Sequence, residues 1–178
     1  MTSIIKVDQI QTAAGATPTA ADLGINTTGN VINVAFADTN SKYAATASFS
    51  FLPINYTPKY SNSKLLITYN VGIGLSNVNG SVGIRRDGSF IGTQVQTAYV
   101  GPIQGLNSAD DGIGASRAYD INMETYQLMD TPNTTSQVTY DFYWALNSGN
   151  SGNVYLNRQS TDNGGSTVST VSIIEIAG

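Results

Sequence analysis

Lys64-Leu65-Leu66-Ile67-Thr68-Tyr69-Asn70-Val71-Gly72-Ile73-Gly74-Leu75 is the stretch that decides the fold. Side chains alternate sides along an extended chain. Leu65, Ile67, Tyr69, Val71, Ile73 and Leu75 therefore share one face, and Leu66, Thr68, Asn70, Gly72 and Gly74 share the other. The first set predicts a core-facing surface. Val138, Tyr140, Phe142, Trp144 and Leu146 repeat the pattern, with Gln137, Thr139, Asp141, Tyr143 and Ala145 between them. Almost nothing has a helical period, and Gly, Asn, Ser and Thr punctuate short apolar runs throughout. Further strands are expected roughly over 43–52, 80–86, 90–97, 117–128 and 153–159. Asp87-Gly88 reads as a hairpin turn, since both residues tolerate positive φ. Thr131-Pro132-Asn133 reads as a second turn, with Pro fixing φ and Asn able to bond its own backbone. About eight strands with frequent turns predict an all-β fold, an antiparallel jelly-roll-like β-sandwich with an extended N-terminal arm.

The final strand is apolar on both sides. Val168, Ile174 and Ile176 lie on one face, Val171 and Ile173 on the other. A strand apolar on both faces is covered on both. The sequence stops almost as soon as this strand does, which adds to the expectation that it is packed. A lone sandwich leaves one face of each sheet in water, so we expect a second buried surface. A subunit interface is the simplest candidate; cover by the N-terminal segment is the alternative.

Residues 1–40 are expected to form an arm and linker, and 41–178 the sandwich. Ile4, Ile5, Val7 and Ile10 suggest a short strand. Residues 12–19 are small and flexible, as in a linker, and Ala20 to Gly24 could make one helical turn. Val31, Ile32, Val34 and Phe36 then lead into the globular part. Such an arm has too few contacts to stay ordered alone, so a neighbouring subunit or another protein is expected to hold it.

Composition narrows the function. In 178 residues, hydrophobic content is 40%, enough for a core, but charged residues are only 11%, well below the usual ~25%. Solubility must come from neutral polar side chains, which suits a β-rich assembly subunit. The eight basic residues are scattered in a chain of net charge −4, which disfavours nucleic acid as a partner. No apolar run is long enough to span a bilayer, and Met1-Thr2-Ser3 opens no secretory signal, so membrane insertion is not expected. Cysteine and histidine are absent. That removes disulfides, the usual general base and the commonest transition-metal ligand.

The remaining constellations are weak. Asn107-Ser108-Ala109-Asp110-Asp111-Gly112 is the densest acidic loop, yet it lacks the spaced oxygen series of a calcium loop. Glycosidase chemistry needs two carboxylates flanking one bond, and nothing pairs Asp110, Asp111, Asp120, Glu124 or Asp141. We therefore expect no catalytic residues, no metal ligands and no cofactor. Alternation places Tyr69, Tyr140 and Trp144 in the core and leaves Tyr99, Tyr119, Tyr126, Tyr143 and Tyr155 open. Asn26-Thr27-Thr28 and Asn133-Thr134-Thr135 match the glycosylation sequon but read as turn and strand-start residues. Arg85, Arg86 and Arg158 could pair with acidic groups between subunits or within the sheet.

Motif order points further. Ile5-Lys6-Val7-Asp8-Gln9-Ile10-Gln11, Asp22-Leu23-Gly24-Ile25, Ser61 to Ile67, the Arg86-Asp87-Gly88 hairpin, Asp130 to Tyr140, Tyr155-Leu156-Asn157-Arg158 and Glu175-Ile176-Ala177-Gly178 occur in sequence. In this the chain resembles the small β-sandwich structural proteins of tailed bacteriophages, many of them from cyanophages, often labelled fibre or decoration proteins. The resemblance covers most of the chain and is least clear around 98–118. It implies a trimeric virion component without catalytic residues. The resulting expectation is a homotrimeric capsid decoration (cement) protein on the outer surface of the particle. Ile4, Ile5, Val7 and Ile10 would bind the major capsid protein, and Val171 and Ile173 would form the trimer interface. The alternative is a short fibre whose loops bind a host surface receptor or glycan.

Overall fold

The computed structural model describes residues 28–76, 79–92, 104–107, 121–146, 153–159 and 165–178. Eleven strands lie among them: β1 (Val31–Thr39), β2 (Tyr43–Ala45), β3 (Phe49–Tyr56), β4 (Lys64–Ser76), β5 (Asn79–Arg86), β6 (Ser89–Phe90), β7 (Gln104–Asn107), β8 (Asn122–Asp130), β9 (Val138–Leu146), β10 (Asn153–Leu156) and β11 (Ser169–Ile176). The sequence-based division at residue 40 moves, because 31–39 is a full strand of the sandwich, paired along its length with β11. The arm residues Ile4, Ile5, Val7 and Ile10 lie outside the described residues.

The register reduces eleven strands to eight. Ile73 pairs with Leu156 on one side and Asn122 on the other, so β8 lies across β4 from β10. β11 pairs with residues 64–70 of β4, and β10 with residues 73–76. The two therefore lie end to end along one edge of β4. β1 and β2 continue each other in the same way, against β11 and β10. In the second sheet β6 and β7 both pair with β5 at different residues. Joined thus, the first sheet runs β1-β11-β4-β8 and the second β3-β9-β5-β6. The first strand pairs with the last, the second with the second-last, and so inward, all antiparallel. This is the rolled-up hairpin of a jelly roll.

The period-two pattern builds the core. Leu65, Ile67, Tyr69, Val71 and Ile73 are fully buried, facing Val82, Ile84, Tyr140, Phe142 and Trp144. Each such side chain contributes about 1.5–3 kcal/mol on burial. Tyr69 and Tyr126 both set their rings against Phe142, at centroid distances of 5.9 and 5.0 Å. Both expected turns form. Asp87 and Gly88 have φ of 49° and 79°, closing β5 onto β6. Asn133 has φ of 55° and donates from Nδ2 to the Thr131 carbonyl.

Val171 and Ile173 correct an expectation. Both are wholly buried within one chain, in the core between the sheets. The strand alternates buried and half-buried positions, so the outward side of β11 is that of Ile174 and Ile176. The interface assignment inverted the strand, because a run apolar on both faces does not say which face the opposite sheet takes.

Candidate interaction surface

The outer face of the first sheet is built in cross-strand rows. β1, β11, β4 and β8 place Val34, Ile174, Leu66 and Met129 side by side. These four form an apolar row that crosses the whole sheet. Next to it Val31 and Ile176 are paired, with Lys64 beyond them. On the other side Phe36, Ser172, Thr68 and Gln127 line up, then Asp38, Thr170, Asn70 and Thr125. Val34, Phe36 and Met129 are 58%, 62% and 49% exposed.

The polar rows satisfy themselves. Asn70 Nδ2 donates to Thr170 Oγ1 and Thr125 Oγ1 donates to Asn70 Oδ1, while Gln127 Nε2 donates to Thr68 Oγ1. Thr68 and Gln127, and Thr170, Asn70 and Thr125, are thus hydrogen-bonded across strands, while the apolar row is exposed at Val34 and Met129 and half-buried at Ile174 and Leu66.

The second sheet presents a different outer face. Asp141 takes two hydrogen bonds from Arg85, at 2.9 and 2.6 Å, and a third from Ser50 Oγ. The Arg85 guanidinium lies 3.8 Å from the centre of the Tyr143 ring. Arg85 gains basicity chiefly from the Asp141 hydrogen bonds, against the opposing effect of its own burial. Thr139 Oγ1 donates to Asn55 Oδ1 nearby. Among the described residues this surface carries these paired polar groups and, beside them, the Phe90 and Tyr143 rings, 5.6 Å between centres.

Beneath the apolar row, on the inner face, two carboxylates flank Leu65. Glu175 on β11 and Asp130 on β8 both pair in register with Leu65. Each reaches the opposite sheet. Glu175 is wholly buried and accepts from Tyr56 Oη at 2.6 Å and from the Lys59 backbone N–H at 2.7 Å. Asp130 accepts from Tyr140 Oη at 2.6 Å and from Arg86 at 3.0 and 2.8 Å. Burial, then the carboxylate hydrogen bonds, hold Tyr56 and Tyr140 well above the ordinary tyrosine range. The two brackets fix the rim of the sandwich on which the apolar row sits.

The sequence-based candidates disperse. Tyr69, Tyr140 and Trp144 are in the core as expected. Arg85 and Arg86 pair within the chain. Arg158 lies 5.1 Å from the Tyr155 ring centre. Asp110, Asp111, Asp120, Tyr99 and Tyr119 fall outside the described residues. Among the described residues no three acidic groups converge on a metal-sized site. Sequence reasoning missed the Glu175 and Asp130 brackets. An acidic residue at a core-facing position of a strand was the available signal.

No family model and no curated protein matches the chain. Among solved structures it is similar to the infectious bursal disease virus VP2 of a subviral particle, at 14% identity and a TM-score of 0.36. The match covers 82% of this chain and 38% of that one, so the chain spans less than two-fifths of its neighbour's length.

Proposed function

We propose that this chain is a non-enzymatic structural protein of a phage particle, a homotrimeric capsid decoration protein. The observation that carries the reading is the unequal pair of outer faces. One centres on the paired Arg85 and Asp141; the other carries an apolar row across four strands, exposed at Val34 and Met129. A binding surface on a rigid scaffold, with no converging catalytic groups described, suits an assembly subunit. The jelly roll is widely used in viral capsid and lectin domains, and the ordered motifs resemble phage virion proteins. The chain acts by burial: copies bury apolar surface against each other, and residues 1–24 pair with the shell. Binding only the assembled shell shifts assembly toward it by mass action.

A short fibre with a glycan-binding tip is the second reading. One hollow favours it: a space of about 480 Å³ lined by Tyr43, Ala45, Phe49 and Asn153. Tyr43 is about half exposed there and its ring lies 5.0 Å from that of Phe49. An exposed tyrosine of this kind can stack on a sugar ring.

Imaging of the particle decides between the two. Density at local threefold positions over the capsid is expected, and density confined to the tail overturns the decoration reading. Deleting residues 1–24 is expected to abolish particle binding while the sandwich stays folded. Unchanged occupancy would remove the role proposed for the arm.

A further inference from the structure

We infer that the Leu52-Pro53 bulge guards the free edge of the second sheet and keeps strands of other copies from pairing with β3. β3 ends its sheet: it pairs with β9, and among the described residues no strand lies against its other edge. An uncovered edge offers a row of backbone donors and acceptors to any extended chain, and natural sheets blunt it with prolines and bulges. β3 carries both at its middle. Phe51 pairs with Phe142 and Ile54 with Tyr140, so Leu52 and Pro53 together stand opposite Asp141. Leu52 has φ of 49°, the left-handed region that glycine usually fills in such a bulge. Pro53 holds φ near about −65°, far from the roughly −140° of an antiparallel strand. The edge is thereby cut into 49–51 and 54–56, three paired residues each, against about 5–6 in an ordinary strand.

Tertiary contacts hold the bulge. A residue before proline favours extended backbone, so the local sequence does not ask Leu52 to turn. Its side chain is buried in the core, and its carbonyl accepts from Tyr69 Oη at 3.2 Å. Asp141, opposite the bulge, is tied to Ser50 on β3 and to Arg85 on β5. The inserted residue also corrects phase, letting Phe51, Ile54 and Tyr56 all face the core. Phase needs one extra residue of any type. It does not need proline at 53, which is exposed and stands outside the core cluster. β1 and β8, the outer strands of the first sheet, run nine residues each without a proline, so the device belongs to β3.

The test uses the full chain. Wild type, Pro53→Val, Pro53→Ala and Asn55→Val are compared by sedimentation velocity over a concentration series and by hydrogen exchange, with near-UV circular dichroism to check folding. Valine frees φ, restores the amide and favours a strand; alanine does the first two without the bulk. Asn55→Val adds the same apolar side chain at another exposed position of β3 and leaves the bulge. Pro53→Val is expected to self-associate about fivefold or more tightly than wild type. Its amides over 49–56 should exchange more slowly as concentration rises. Pro53→Ala should move the same way but less far, and Asn55→Val should match wild type. Each variant is measured against wild type in whatever assembly it holds, so the result is independent of the trimer reading.

A folded Pro53→Val that sediments as wild type does overturns the guard. Tighter association with unchanged exchange over 49–56 also overturns it, because the contact then lies elsewhere. Equal association of Asn55→Val does the same, because added apolar surface and not the opened edge is then the cause. Where Pro53→Val fails to fold, Pro53→Ala decides by the same outcomes.

Discussion

Ser169 Oγ donates a 2.6 Å hydrogen bond to Asn157 Oδ1, joining the two ends of the detour between β10 and β11. The detour interrupts what is otherwise one strand, so ladder partners are lost on both sides. Asn157 replaces them. Its Nδ2 donates to the carbonyls of Thr39 and Ser41 on one neighbour, and its backbone N–H donates to Gly72 on the other. Ser169 Oγ in turn accepts from the Gly72 N–H at 3.1 Å. Both side chains are wholly buried.

Asn157→Ala is expected to cost about 2–4 kcal/mol, because buried groups lose partners that water does not replace. Asn157→Asp should be at least as damaging, since it sets a carboxylate oxygen against the Thr39 and Ser41 carbonyls. Asn157→Gly separates backbone from side chain, since φ is 55° and glycine adopts that freely. Urea unfolding measures all three; an Ala variant within about 0.5 kcal/mol of wild type would discard the fastener role.

Gly72 is the tightest point of the same node. A Cβ there would lie 2.0 Å from Thr167 Cγ2. Gly72→Ala is expected to destabilise by about 1–3 kcal/mol through overpacking. Thr167→Ser removes that methyl and keeps the hydroxyl, so it should be nearly neutral alone and recover part of the loss in the double variant. The recovery stays partial because Ile121 and Met123 also crowd the site at 3.3 Å. Additive thermal shifts in the double variant would contradict the clash.

Tyr56→Phe removes one of two donors to a wholly buried carboxylate, Glu175. The expected loss is about 1.5–3 kcal/mol, the range for hydrogen bonds to charged groups. Glu175→Gln should cost less, because an uncharged acceptor remains for the Lys59 N–H. The order of the two midpoints in guanidinium is the check, and the reverse order would count against the bracket.

Alkaline pH should unfold the chain steeply. Burial raises Tyr56, Tyr69 and Tyr140 above the ordinary value of 10.0, with carboxylates adding to it. Below pH 10 these phenols are neutral in both states and the stability is fully present. Above it the unfolded chain ionises them and the folded chain does not. Stability is then lost as pH climbs toward the folded values, by about 1.4 kcal/mol per pH unit for each tyrosine. Tyrosinate absorbance and circular dichroism should therefore change together; titration near pH 10 with the fold retained would refute it.

Alternation in Lys64 to Ile73 and Val138 to Trp144 was enough to set the strand class and most of the core, because period two is a local property of an extended chain. The Asp87-Gly88 turn was legible for the same reason: its φ values depend on those two residues. The outer apolar face was only half legible. Sequence showed that β11 is apolar on both sides, and the packing decided that Val171 and Ile173 face inward. The row of Val34, Ile174, Leu66 and Met129 draws one residue from each of four strands.

By itself, then, the sequence determined an all-β sandwich, its clearest strands and the absence of histidine and cysteine chemistry. Only the tertiary structure decided that β10 and β11 are one interrupted strand fastened by Asn157, that two carboxylates bracket the rim, and which sheet keeps an open apolar face. Those features depend on registers between residues far apart in the chain, such as Val31 and Ile176. Register is set by which faces bury together, a choice made collectively by the folded chain and not by any local run.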